Sequence, residues 1–128
     1  MKMEPKILDY KDLIVWQKSM NLAEQIYSLS TNFPKTEIYG MMSQIRRAAI
    51  SIPSNIAEGN GRYSDKEFLR FLSIANGSLK EIETQLHLSI RLKFVSENDV
   101  QAIFKMCDDV ARLLNGLRKK ISERLKSQ

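Results

Sequence analysis

Metal binding and nucleophilic catalysis need particular side chains gathered at set spacings, and this sequence offers few. It has one histidine, His87, and one cysteine, Cys107. A metal site in a helical protein takes two histidines four residues apart, or repeated Glu-x-x-His on facing helices. Glu83 precedes His87 by four residues, but no second pair of this kind exists. His87 therefore reads as a structural or solvated residue. Cys107 falls on an apolar stripe and reads as a small core side chain. Asp108 and Asp109 are adjacent, so on a helix they point about 100° apart and cannot share a substrate. No glycine-rich phosphate loop is present. With no nucleophile–base pair and no ligand cluster, the expectation is a non-catalytic protein without a metal or cofactor.

The polar residues that most need explaining lie in Gln44–Arg62, QIRRAAISIPSNIAEGNGR. Placed on a helix, this stretch sorts into an apolar seam (Ile45, Ala49, Ile52, Ile56) and a polar stripe (Gln44, Arg47, Ser51, Asn55, Glu58). Arg46 lies about 100° round from Arg47, nearer solvent, so the two arginines need not do the same job. Arg47 is expected to pair with Glu81 or Glu83 of the following helix, across a close crossing that Gly77-Ser78 permits. Arg46 is left free for a ligand. Pro53 removes the hydrogen bond to residue 49 and should kink the helix. The freed Ala49 carbonyl then looks to Ser54, Asn55 or a neighbouring helix. Gly59 belongs to a glycine-rich stop.

Charge supplies the other candidates. The net charge is +5. Residues 112–128 carry six basic side chains, Arg112, Arg118, Lys119, Lys120, Arg124 and Lys126, against Glu123 alone. A local basic patch fits contact with nucleic-acid phosphates. The more ordinary reading is a solvated helix end whose cations offset the helix dipole. The nucleic-acid-binding candidates are Arg46, Arg47, Arg112, Arg118, Lys119, Lys120 and Arg124.

Four helices position these residues. The first runs from about Asp12 to Leu29, with Trp16, Met20, Ala23 and Tyr27 recurring at 4, 3 and 4. Pro34 suits the first turn of the second, whose stripe is Ile38, Met42, Ile45, Ala49, Ile52 and Ile56. Ser64 and Glu67 form a capping box for the third, with Phe68, Leu72, Ala75, Leu79, Ile82 and Leu86 as its seam. Ser96-Glu97-Asn98-Asp99 opens the fourth, whose stripe is Val100, Ile103, Cys107, Val110, Leu114, Leu117, Ile121 and Leu125. The last three helices each span about 25–30 residues, or about 40 Å. Breaks of a few residues force consecutive helices to be antiparallel neighbours. The expected fold is all-α, an up-down-up-down antiparallel four-helix bundle with long helices.

At 128 residues the chain makes one domain, 1–128, with 1–10 and 126–128 expected to be loose. A lone cysteine, an N-terminus without the apolar stretch of a signal peptide, and no run near the ~20 apolar residues of a membrane span point to the cytoplasm.

Several ordered motifs resemble a known family. They are Asp12-Leu13-Ile14-Val15-Trp16-Gln17, Phe33-Pro34 with Glu37 and Tyr39-Gly40, Gln44-Ile45-Arg46-Arg47-Ala48-Ala49, Ser51 to Gly59, and Gly77-Ser78-Leu79-Lys80-Glu81. Together they span roughly residues 10–118 and resemble the bacterial four-helix bundle proteins encoded in 23S rRNA intervening sequences. The accessory variability determinant of diversity-generating retroelements is similar in fold and size. The resemblance implies a barrel-like homopentamer with a basic channel or surface. In the retroelement relative, that assembly binds nucleic acid and a reverse transcriptase. It implies no catalytic residue, and marks Gln44, Ser51, Pro53, Asn55, Glu58, Gly59, Gly77, Ser78 and Glu81 as structural signature positions. Two functions follow as expectations. One is a homo-oligomer binding structured RNA or DNA through its basic surface. The other is a protein-docking scaffold anchored by Tyr10, Trp16 and Tyr27, with an incidental basic patch.

Overall fold

In the computed structural model, which describes residues 9–128, four α-helices follow a short 3-10 turn at Tyr10–Asp12. They are α1 (Ile14–Ser30), α2 (Met41–Asn60), α3 (Asp65–Arg91) and α4 (Glu97–Lys126). No strand occurs among the described residues. Each helix packs on its neighbours in the chain, and α1 closes on α4, which completes an up-down-up-down antiparallel bundle. The α3 seam is buried as its spacing predicts, with Leu72, Ala75, Leu79, Ile82 and Leu86 fully enclosed. From α4, Val100, Ile103, Cys107, Val110, Leu114 and Ile121 complete one continuous core. The expectation of loose ends falls partly on residues 1–8, which lie outside the described residues. At the other end, α4 runs to Lys126 and the Gln128 amide donates to Asp65 Oδ2 (3.0 Å).

Helix α1 turns a different face inward from the one its aromatic spacing suggests. Val15, Ser19, Leu22, Ile26 and Leu29 are buried, while Met20 and Tyr27 stay exposed. Two rows with 4-3 spacing run side by side here, offset by one residue. Ser19 disguises the buried row, because its hydroxyl reads as polar; in the fold it donates to the Trp16 carbonyl (2.8 Å) and needs no water.

Helix α2 is shorter than its pattern predicts, at 20 residues. Pro34 leads into a separate 3-10 turn, Lys35–Glu37, and the helix proper starts at Met41. Glu37 explains the start: its carboxylate accepts from the Met41 amide (3.0 Å), placing a negative group on the helix N-terminus. Ile38 is accordingly 53% exposed rather than in the seam. Pro53 is buried inside a helix that continues through it.

The close approach of α2 and α3 occurs at Gly59, not Gly77. A Cβ at Gly59 would lie 2.7 Å from Phe71 Cβ and 3.0 Å from Phe68 Cδ1. A Cβ at Gly77 would meet nothing among the described residues within 4 Å. Gly59 thus lies within α2 as a packing residue, and the helix is capped at Gly61. With Ser51 on Ser78 and Gly59 on Phe71, Arg47 falls level with the Ile82 turn of α3, beyond reach of Gly77.

Caps fix the later helix starts. Ser96 and Asp99 form a full capping box for α4 (3.2 Å in both directions). At α3 only half of the predicted box forms. Ser64 Oγ accepts from the Glu67 amide (3.3 Å), but the Glu67 carboxylate pairs with Arg70 (3.1 Å) instead of reaching back.

Candidate functional site

The two arginines of Gln44–Arg62 take the reverse of their expected roles. Arg46, expected to be free, reaches across to the end of α1. Its Nε donates to Ser30 Oγ (2.7 Å), its Nη2 donates to the Tyr27 carbonyl (3.1 Å), and its guanidinium lies 4.6 Å from the Tyr27 ring centroid. A cation on the last-turn carbonyls satisfies orphan acceptors and complements the helix dipole. Arg47, expected to be paired, is exposed and forms no ion pair among the described residues. Glu81 is likewise exposed and unpaired, and Glu83 pairs with Lys80 (3.4 Å). The 100° between adjacent residues settles this exchange: it turns Arg46 toward α1 and leaves Arg47 outward.

The rest of the polar stripe divides in two. Asn55 does not serve Ala49; its amide donates to the Ser51 carbonyl (2.7 Å) and hydroxyl (2.9 Å). Ser78 of α3 donates to Ser51 Oγ (2.8 Å), so Asn55, Ser51 and Ser78 form a short polar chain that ties α2 to α3. Gln44 and Glu58 are exposed, with Glu58 paired to Arg62 one turn on (2.8 Å).

A groove follows the α1–α2 boundary. Trp16, Met20, Ala23 and Tyr27 from α1 face Ile50, Pro53, Ser54 and Ala57 from α2 around about 600 Å³. Tyr10 closes one end, its ring edge-on to Trp16 at 5.3 Å between centroids. Past Tyr27 and Ile50 the trough continues to Ile38, Met42, Arg46 and Arg47. Met20 is 38% exposed, Tyr27 39% and Ile50 46%. The second row of α1, which its spacing suggests as core, is therefore the wall of this surface. Tyr10, Trp16 and Tyr27, the anchors of the scaffold reading, all line it.

The basic residues of α4 are scattered and partly neutralised. Arg112 pairs with Asp109 on its own helix. Arg118 reaches Ser73 Oγ on α3 (3.4 Å). Arg124 grips Asp65 with two of its nitrogens, Nε and Nη2 (3.0 and 2.6 Å), pinning the end of α4 to the start of α3. Those hydrogen bonds hold the Asp65 carboxyl below its usual range. Lys119 and Lys120 stay exposed and unpaired among the described residues. The seven cation candidates thus do not converge on one patch: Arg46 and Arg47 flank the groove, and the other five are spread along α4.

Among the described residues, neither Cys107 nor His87 is placed as a nucleophile. Burial pushes the Cys107 thiol up to about 12, leaving it protonated at neutral pH. His87 is exposed and stacks on Phe104 (4.6 Å between ring centroids). Among the described residues no three His, Cys, Asp or Glu side chains are grouped to hold a metal ion. No helix among them is long and apolar enough to cross a membrane.

Comparison with known proteins agrees with this architecture. No curated protein matches the chain. A similar solved structure is that of a protein with unknown function from the S23 ribosomal protein family of Bacteroides thetaiotaomicron. It shares 29% identity over 85% of this chain and 98% of its own, at a TM-score of 0.77. The family model for 23S rRNA-intervening sequence proteins matches residues 11–116, from the 3-10 turn before α1 to two-thirds of the way along α4. This chain is a member of the 23S rRNA-intervening sequence protein family.

Proposed function

We propose that this protein is a non-catalytic, homo-oligomeric docking protein of the cytoplasm that engages its partner subunit through the α1–α2 groove. The observation that carries this reading is the groove itself: a continuous apolar trough with Trp16, Met20, Tyr27 and Ile50 on its walls. Open apolar surface of this kind on a small domain marks a place where another chain sits. Aromatic and methionine side chains are those that interfaces favour. Five copies is the stoichiometry that the family resemblance implies. Light-scattering mass tests the reading directly. The wild-type chain is expected above monomer mass, and Met20→Glu with Ile50→Glu is expected to return it to a folded monomer. A monomeric wild type contradicts the proposal.

A second reading, contact with phosphates of structured RNA or DNA, is favoured by Lys119 and Lys120, which no carboxylate neutralises among the described residues. It ranks second because Arg46, Arg112 and Arg124 are engaged within the chain. RNA affinity measured between about 50 and 200 mM salt checks it. Salt-sensitive binding that weakens in an Arg118→Ala, Lys119→Ala, Lys120→Ala variant supports it, and a flat salt dependence contradicts it.

A further inference from the structure

Gly77 has no explanation inside the fold. It stands mid-helix, where glycine weakens helix formation relative to alanine, yet a Cβ there would touch nothing among the described residues within 4 Å. It shares the outer row of α3 with Ile74 (41% exposed), Glu81 and Leu88 (42% exposed). A glycine between the open Ile74 and Glu81 side chains leaves a flat where another helix can approach closely. The outer row of α2 offers the converse relief: Arg47, then the projecting Ile50, then Ser54, beside the groove.

We infer that the outer row of α3 from a second copy of this chain seats against the α2 side of the groove, with Glu81 of that copy on Arg47 and Gly77 over Ile50. This deepens the docking reading and rests on it. Two features select this occupant. The first is charge: Arg47 and Glu81 are opposite in sign, both exposed, and both without an ion-pair partner among the described residues. The second is spacing. Arg47, Ile50 and Ser54 step by 3 and 4, while Glu81, Gly77 and Ile74 step by 4 and 3 in the reverse direction. An antiparallel approach therefore brings the charges together, drops Ile50 onto the glycine, and lays Ile74 against the Pro53–Ser54 edge. The contact is heterologous, since each copy presents α2 to one neighbour and α3 to the other. Such contacts pass from copy to copy, closing into a ring where the rotation between copies permits and running on as a filament where it does not.

Sedimentation equilibrium on the full chain, with circular dichroism to confirm helicity, tests the pairing. Arg47→Glu and Glu81→Arg should each weaken association by about tenfold, and the double exchange should recover to within about twofold of wild type. Gly77→Leu, which meets open space in the isolated bundle, should weaken association to a similar degree without loss of helix. If wild type associates, Met20→Glu with Ile50→Glu dissociates it, and these α3 variants change nothing, the groove takes a different surface and the inference fails while the docking reading stands. Single exchanges that weaken association without recovery in the double also overturn it. A wild type that stays monomeric at every concentration overturns both.

Discussion

Gly59 and Gly77 lie on neighbouring helices and do opposite work. At Gly59 the backbone of α2 rests on Phe68 and Phe71, and an added methyl group has 2.7 Å in which to fit against a Cβ that cannot swing away. Gly59→Ala should therefore destabilise by about 1–3 kcal/mol, read as a lower urea midpoint at unchanged slope. Gly77→Ala gains helix propensity at no steric cost, so it should stabilise the dissociated monomer by about 0.5–1 kcal/mol in the same assay. The Arg124–Asp65 clamp sets a pH dependence. Asp65 is held below its usual range, chiefly by hydrogen bonds from Arg124, so it binds its proton more weakly folded than unfolded. Its contribution is present above about pH 4 and lost as the pH falls below that. Asp65→Asn should cost about 0.5–1 kcal/mol at pH 7, with the gap to wild type narrowing on acid titration toward pH 2. A gap independent of pH would show that the clamp acts through shape alone.

At the scale of elements, local capping and regular seams carry most of the bundle. Ser96 and Asp99 satisfy each other's backbone, whereas Ser64 works without help from Glu67. Ser96→Ala should cost about 1 kcal/mol in thermal or urea unfolding, and Ser64→Ala should fall at the low end of the capping range. The α3 and α4 seams can be read from sequence because Leu, Ile and Val recur there at strict 3–4 spacing. On α1 two such rows compete, and a buried serine hides the winner. The start of α2 depends on a carboxylate in a preceding 3-10 turn, which helix periodicity does not register. The arginine site is less legible still. Arg46 finds its acceptors 15–19 residues back along the chain, so its role depends on how α1 and α2 rotate against each other. Gly59 and Gly77 look alike in sequence, and only the register of α2 on α3 tells them apart. Trp16 and Tyr27 are legible as anchors by residue type, but the groove they form required both helices in place.

At the scale of the whole molecule, the bundle closes its core with four helices and still leaves an apolar trough along one side. The seven candidate cations divide between the edge of that trough and α4, and two of them, Arg112 and Arg124, are already matched by carboxylates. These two facts together favour the proposed docking over a broad phosphate-binding face. The chain carries a single tryptophan, and Trp16 stands in the wall of the groove. Its fluorescence therefore reports on that surface without interference from another indole. Acrylamide quenching of Trp16, followed across a dilution series alongside light-scattering mass, is the most direct measurement available. Docking through the groove predicts that quenching falls as mass rises, both over the same concentration range. Mass that rises while Trp16 remains equally open to acrylamide would contradict it.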